Sequence, residues 1–181
     1  MLPADIPVPQ DDGGARHLHG CKASVSAACG DRRVAGRSVE ACRPHRALHL
    51  SAHRRAGQAP PDGWDADPGA RGCTPQSCSF RDHFAELKRL GVAHLYGLST
   101  QDTGLSARGG RASASAVPDP VRRRASSSAR AIKLPTFTAA GMTLLKRMAL
   151  VIDDGVITKV FYPVFPPDKN AEDVIAWLRG R

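Results

Sequence analysis

The sequence predicts an α/β fold in which a central sheet is flanked by helices. Residues 74–90 carry apolar side chains at helical spacing and therefore indicate a helix. A short apolar run at residues 92–99 follows at once and is typical of a buried parallel strand. A helix that leads directly into such a strand is half of an α/β unit. A later pair of β-branched runs, at residues 147–152 and 156–162, predicts two more strands.

The predicted helix has recognisable ends. Thr74 is a candidate N-cap, Pro75 suits the first helical position, and Gly91 stops the helix. The apolar positions of its buried face are Phe80, Phe84, Leu87 and Leu90. Cys73 is therefore expected just before or at the helix N-terminus.

The C-terminal third predicts a hairpin and a helix. The two β-branched runs are joined by Asp153-Asp154-Gly155, an Asp-Gly turn that strongly favours a β-hairpin. Residues 168–178 predict a final helix, with Asn170 as a candidate cap. Its apolar stripe consists of Ala171, Val174, Ile175 and Leu178.

Length and composition limit the class of protein. A chain of 181 residues is long enough for one domain with a real core, and it contains no apolar run of about 18 residues. The N-terminus has no basic region followed by an apolar stretch, so we expect a cytoplasmic protein. In a reducing compartment, five cysteines are better interpreted as free or catalytic than as a disulfide framework.

The net charge of +9 is concentrated in two segments. Residues 22–57 hold eight basic and two acidic side chains, and residues 104–131 hold six and one. Neither segment contains an aromatic residue, and both compositions predict irregular or disordered chain. A nucleic-acid-binding module would be expected to display its charge on a folded scaffold. Binding of nucleic acid through these segments nevertheless remains a rival interpretation.

The segment Gly72 to Asp82, GCTPQSCSFRD, is the strongest functional signal. Unpaired N–H groups at a helix N-terminus favour a thiolate, which is the reactive form of cysteine, and Cys73 is predicted to lie there. Cys78 lies five residues further on, and in a helix the two Cα atoms would be roughly 8 to 9 Å apart. A disulfide needs about 7 Å or less, so joining Cys73 to Cys78 requires the start of the helix to unwind.

Two simpler interpretations of these cysteines are a structural disulfide and a zinc half-site. A structural disulfide is disfavoured by the helical geometry. A zinc half-site would normally use C-x2-C spacing or a second ligand pair nearby, which is absent from the sequence. Thiol redox chemistry is therefore the favoured interpretation.

The motif GCTPQSC-FRD resembles the active-site segment of the peroxiredoxins, the alkyl hydroperoxide reductase and thiol-specific antioxidant family, and is nearest to their bacterioferritin-comigratory type. Roughly two-thirds of the chain is similar, including YGLSTQD, LPTF, GMTLLKR, LVIDDGVI and FYPVFPPDKNA. The resemblance implies a thioredoxin-like fold. It assigns Cys73 as the peroxidatic cysteine, Cys78 as the resolving cysteine and Arg147 as the arginine beside the thiolate.

The resemblance also implies the reaction and its partners. The chain would reduce hydrogen peroxide or organic hydroperoxides, and a thioredoxin-like dithiol would reduce it in turn. No metal or organic cofactor is needed, and the protein would be a monomer or a homodimer. We expect no membrane association.

The chain departs from the family upstream of Cys73. Peroxiredoxins carry a proline and a threonine in a P-x-x-x-T-x-x-C pattern, and here those positions are Ala66 and Ala70. The family's strand before this pattern is replaced by residues 43–55, whose four arginines and three histidines predict a poor central strand. A damaged, inactive homologue is therefore a further alternative.

These observations give a predicted organisation. Residues 1–21 form an N-terminal extension, 22–57 an irregular segment, and 58–181 a thioredoxin-like domain interrupted at 104–131. We hypothesise that the two irregular segments are translated out of frame, because alternative frames with GC-rich codons permit family-like strings there. Sequencing the gene tests this hypothesis.

The other cysteines do not predict a metal site. Cys21, Cys29 and Cys42 are spaced C-x7-C-x12-C, which matches no usual zinc pattern, even with His17 and His19 nearby.

Overall fold

The structure is a computed structural model that describes residues 7–23, 46–51, 68, 70–99, 122–124, 132–139 and 142–181. Its strands are β1 (Arg46–Ser51), β2 (His94–Ser99), β3 (Arg122–Arg124), β4 (Thr136–Ala139), β5 (Met142–Leu145), β6 (Ala149–Asp153) and β7 (Val156–Phe161). Its α-helices are α1 (Cys73–Asp82), α2 (Phe84–Arg89) and α3 (Asn170–Arg179). Short 3-10 helices span Arg16–Leu18 and Pro167–Lys169.

Within the described residues, five strands form a mixed sheet in the order β3-β2-β1-β6-β7. β1 runs parallel to β2 and antiparallel to β6, while β6 and β7 form an antiparallel hairpin. Asp154 and Gly155 make its turn, and both have positive φ angles of 48° and 81°. The predicted α/β class, the parallel strand after the helix and the Asp-Gly hairpin are confirmed. β4 and β5 pair separately in a second, two-stranded sheet.

The prediction of an irregular segment at residues 22–57 is wrong for β1, which is the middle strand of the sheet. Leu48 and Leu50 recur with the period of two that a strand requires, and Arg46 is the strand's first residue. The other arginines of the segment fall outside the strand. Backbone pairing with β2 and β6 on its two sides then supplies the hydrogen bonds of a central strand.

The prediction for residues 104–131 is likewise wrong for β3, an edge strand that pairs with β2. Charged residues are common on edge strands, where they oppose pairing with other chains. The remaining residues of both segments lie outside the described part of the chain, and the proposed domain boundaries and reading-frame hypothesis stay predictions.

The sheet is covered on both faces. β6 is buried and alternates between two hydrophobic cores, with Ala149 and Val151 in one and Leu150 and Ile152 in the other. The first core is completed by the helices and by the chain that leads into β2, through Phe80, Leu87, Val92, Leu95, Ala171, Val174, Ile175 and Leu178. The second core is completed mainly by residues 15–23 and by the chain before β6. Its members are Ala15, Leu18, Ala23, Leu134, Leu145, Met148 and Ile157.

The predicted helix at residues 74–90 is divided in two. The backbone N–H of His83 donates to the carbonyl of Ser79 at 3.1 Å, and the His83 ring Nδ1 lies 2.8 Å from the same oxygen. With a ψ of 6°, His83 ends α1 and α2 begins at Phe84. The apolar periodicity continues through the break, because Phe80 and Leu87 share one core.

Candidate functional site

Cys73 is the first residue of α1, as the sequence predicts, but the residue that precedes the helix is not Thr74. Gly72 takes this position with a φ of +108°, and its carbonyl accepts the backbone N–H of Gln76 at 3.0 Å. A β-carbon on Gly72 would lie 2.4 Å from Cγ of Pro167. Glycine is therefore required by the backbone conformation and by the close approach of the chain before α3.

Arg147 places its guanidinium beside the Cys73 thiol. Nη2 lies 3.4 Å from Sγ of Cys73, donates to the carbonyl of Arg71 at 2.9 Å and approaches the carbonyl of Ala70 at 3.5 Å. The Arg147 side chain is only 3% exposed. Burying a guanidinium costs several kcal/mol unless acceptors surround it. A thiolate at Cys73 would add a negative charge to these acceptors.

Gln76 and Asn170 complete this arrangement, and the sequence did not predict their role. Arg147 Nη1 donates to Oε1 of Gln76 at 2.8 Å, and Nε2 of Gln76 donates to Oδ1 of Asn170 at 2.9 Å. Both residues are 1% exposed. Asn170 was predicted as a helix cap, but it is the first residue of α3 and makes no capping side-chain bond. Gln76 could have been suspected because it lies three residues after Cys73, on the same helix face.

Cys78 lies in the body of α1, and the side chains of Cys73 and Cys78 are both half-buried. Because α1 is continuous between them, the ideal-helix separation of roughly 8 to 9 Å applies. The expectation that a disulfide requires local unwinding therefore stays a prediction.

The departure from the family pattern can be followed at one of its two positions. Ala70 is buried and contributes its backbone carbonyl to Arg147. Ala66 lies outside the described residues. A threonine hydroxyl is therefore absent where peroxiredoxins have one, while the backbone at this position still contacts the guanidinium.

A pocket of about 200 Å³ opens beside Arg147. It is lined by Pro9, Gln10, Pro68, Phe137, Lys146, Arg147, Tyr162 and Pro163. Pockets for drug-sized ligands usually enclose about 300 to 1,000 Å³, so this one suits a small molecule.

Cys21 makes its hydrogen bond to a residue outside this site. Its thiol donates to the carbonyl of His17 at 3.0 Å, and Nε2 of His17 lies 2.9 Å from the carbonyl of Ile132. Cys29 and Cys42 lie outside the described residues. Within the described ranges, no three His, Cys, Asp or Glu side chains group as metal ligands would. Among those same residues, no helix has the length and apolar character needed to cross a membrane.

Comparison with solved structures identifies the fold. Reduced Prx3 from Vibrio vulnificus superposes with a TM-score of 0.52 at 20% identity, covering 77% of this chain and 84% of that one. The same protein in complex with H2O2 gives 0.52 at 19% identity, covering 75% and 81%. Peroxiredoxin Q from Xanthomonas campestris gives 0.49 at 16% identity, covering 80% and 84%. No protein-family model and no curated protein sequence matches the chain.

The chain therefore has the thioredoxin-like α/β fold that these peroxiredoxins share, as predicted. At this level of identity the likeness establishes the architecture.

Proposed function

We propose that this chain is a peroxiredoxin-type, thiol-dependent peroxidase that reduces hydrogen peroxide or organic hydroperoxides. The observation that carries the proposal is the position of the Cys73 thiol at the start of α1, 3.4 Å from the buried Arg147 guanidinium. Both features favour the thiolate, which is the nucleophile. That Vibrio vulnificus Prx3, which shares the fold, has been solved with H2O2 gives further support.

In the first step, the Cys73 thiolate attacks the terminal oxygen of the hydroperoxide. An S–O bond forms and the O–O bond breaks, leaving a sulfenic acid on Cys73. The bonding pair leaves with the second oxygen, which takes a proton to become water or an alcohol. Arg147 is the proposed stabiliser of this step, since its N–H groups can donate to the oxygen on which charge develops.

In the second step, the Cys78 thiol condenses with the sulfenic acid, forming a disulfide and releasing water. The first turn of α1 has to unwind for this reaction, and Gln76 would then release both Arg147 and Asn170. A thioredoxin-like dithiol returns two electrons and two protons and restores both thiols. The cycle therefore needs a reducing compartment, for which the cytoplasm is our proposal.

The proposal is tested by replacing one thiol at a time. Cys73→Ser should abolish peroxide turnover. Cys78→Ser should stop the cycle after one turnover and accumulate a sulfenic acid on Cys73, detectable by a dimedone adduct in mass spectrometry. Cys21→Ser, whose thiol bonds to the His17 carbonyl, should turn over like the parent protein. Peroxidase activity that survives Cys73→Ser would refute the assignment.

A further inference from the structure

The pocket beside Arg147 has a wall made by the N-terminal segment, defined here as residues 7–14. Pro9 and Gln10 of this segment line the pocket together with Phe137, Tyr162 and Pro163. Its lining is mostly prolyl and aromatic, while Arg147 and Lys146 supply the charged groups. Arg147 lines the pocket and also contacts the Cys73 thiol, which is not itself a lining residue, so a molecule in this pocket meets the guanidinium of the proposed reacting pair.

Asp12 fastens the N-terminal segment to the pocket. Its Oδ2 accepts a hydrogen bond from Nζ of Lys146 at 2.5 Å, and its Oδ1 accepts one from the hydroxyl of Tyr162 at 2.7 Å. Both donors line the pocket. A single carboxylate therefore joins the wall formed by Pro9 and Gln10 to two residues from elsewhere in the chain.

The neighbouring contacts fix Asp12 in place. Oδ1 also accepts the backbone N–H of Gly14 at 3.0 Å, and a β-carbon on Gly14 would lie 3.5 Å from the Pro135 ring. Beyond Gly14, Ala15 and Leu18 are buried in the second core. The segment is thus anchored by the core on one side and by Asp12 on the other.

We propose that Asp12 is a positioning residue that holds residues 7–14 against the pocket and thereby limits the size of hydroperoxide that reaches Arg147 and Cys73. The inference rests on the proposed peroxidase function and adds a specificity determinant to it. Hydrogen peroxide is small beside the pocket volume of about 200 Å³, whereas a hydroperoxide with a bulky substituent is restricted.

Asp12→Ala tests this inference, with Asp11→Ala as its matched control. Asp11 accepts the N–H of Gly13 at 2.8 Å in the same turn and is not a lining residue of the pocket. The ratio of kcat/KM for cumene hydroperoxide to that for hydrogen peroxide should rise about tenfold in Asp12→Ala. The same ratio should remain that of the parent protein in Asp11→Ala. An unchanged ratio in Asp12→Ala, or equal changes in both variants, would overturn the inference.

A second measurement does not need peroxidase activity. In a Cys78→Ser background, Cys73 is the sole thiol of the tryptic peptide 72–81, so its alkylation can be followed by mass spectrometry. Adding Asp12→Ala should accelerate labelling by N-phenylmaleimide more than labelling by the smaller iodoacetamide. Tyr162→Phe keeps the ring but loses the hydrogen bond to Asp12. It should raise the ratio of the N-phenylmaleimide rate to the iodoacetamide rate as well, but by a smaller factor.

The two measurements separate failure of the inference from failure of the proposed function. A protein that lacks peroxidase activity but still shows the labelling shift would refute the peroxidase function and support the role of Asp12 at the pocket. Equal acceleration of labelling by both reagents, or acceleration by neither, would refute the role of Asp12.

Discussion

Gln76 and Arg147 are joined by a buried hydrogen bond of 2.8 Å, from Nη1 of the arginine to Oε1 of the glutamine, across 71 residues of sequence. The same glutamine donates to Asn170 at the start of α3. Gln76 thus connects the turn that carries Cys73 to the chain before β6 and to the C-terminal helix. Opening this turn requires that both bonds break.

Gln76→Ala should destabilise the native state and accelerate opening of α1. It leaves Arg147 Nη1 and Asn170 Oδ1 without this partner in a buried region, so the free energy of unfolding should fall by about 1 to 3 kcal/mol. The Cys73–Cys78 disulfide should form faster after a single addition of peroxide, because the turn opens more readily. Urea denaturation and stopped-flow fluorescence measure the two effects.

Thr74→Ala is the control for this prediction. Thr74 lies in the same turn, is exposed, and does not cap the helix. Its loss should change the free energy of unfolding by about 0.5 kcal/mol or less. A comparable rate of disulfide formation in Gln76→Ala and Thr74→Ala would contradict the proposed role of Gln76.

Arg147→Lys should weaken peroxide reduction while retaining the positive charge. Lysine cannot reproduce the planar guanidinium, in which Nη1 donates to Gln76 while Nη2 donates to Arg71 and Cys73. We expect kcat/KM for hydrogen peroxide to fall by about a hundredfold.

The matched variant for this prediction is Arg81→Lys. Arg81 is exposed and pairs with the neighbouring Asp82, so its replacement should leave turnover as in the parent protein. Single-turnover kinetics under excess peroxide make the comparison. Equal activity of Arg147→Lys and the parent protein would remove the guanidinium from the proposed mechanism.

Neighbouring residues in the sequence were enough to predict the hairpin turn and the start of the first helix. The Asp154-Gly155 turn requires two positive φ angles, and Asp-Gly is a sequence that supplies them. The position of Cys73 at a helix N-terminus was also predictable, since Pro75 and the following apolar spacing mark the start of a helix. The exact first residue depended on Gly72 and its contact with Pro167, which is a tertiary feature.

Features that depend on distant partners were missed. The composition of residues 43–55 argued against a central strand, but residues 46–51 form one, because pairing with β2 and β6 satisfies their backbone on both sides. Similarly, the Gln76–Asn170 bond joins residues 94 apart, and no short-range pattern marks it. Asn170 was assigned as a cap because asparagine favours caps, yet its side chain is used in a buried contact instead.

Gly72→Ala should be strongly destabilising. The new methyl group would meet the Pro167 ring at 2.4 and 2.9 Å, and a φ of +108° is unfavourable for alanine. Together these effects should lower the free energy of unfolding by about 2 to 5 kcal/mol.

Gly20→Ala separates the effect of the positive φ from the effect of the contact with Pro167. Gly20 also has a positive φ, +81°, but its β-carbon would have no neighbour within 4 Å. This variant should lose about 1 to 2 kcal/mol, from backbone strain alone. Urea denaturation of both variants gives the difference between their losses of unfolding free energy. This difference measures the contribution of the contact with Pro167. If Gly20→Ala were as damaging as Gly72→Ala, that contact would not be important.

The attachment of residues 7–14 should depend on pH through Asp12. The hydrogen bond from Lys146, then those from Tyr162 and Gly14, hold the pKa of the Asp12 carboxyl well below its ordinary value. A lowered pKa means that folding favours the carboxylate. The resulting stabilisation is complete above the unfolded-state pKa of about 3.9 and is lost as the pH falls below it.

Tyr162 should act in the opposite direction at high pH. Its burial, and then its hydrogen bond to Asp12, raise the pKa of the phenol, so folding favours the neutral form. This contribution is present below the ordinary tyrosine pKa of about 10 and is lost as the pH rises above that value. The N-terminal segment should therefore be held most firmly between about pH 5 and pH 9.

Limited proteolysis across the pH range measures this attachment, using an acid-active protease below pH 4 and a broad-specificity protease above pH 7. Cleavage within residues 7–14 should increase in the parent protein at both extremes of pH. In Asp12→Asn, the increase on acidification should be much smaller, because that variant has no carboxylate to protonate. Matching acid profiles for Asp12→Asn and the parent protein would show that the contact of Asp12 with Lys146 and Tyr162 does not hold the segment in solution.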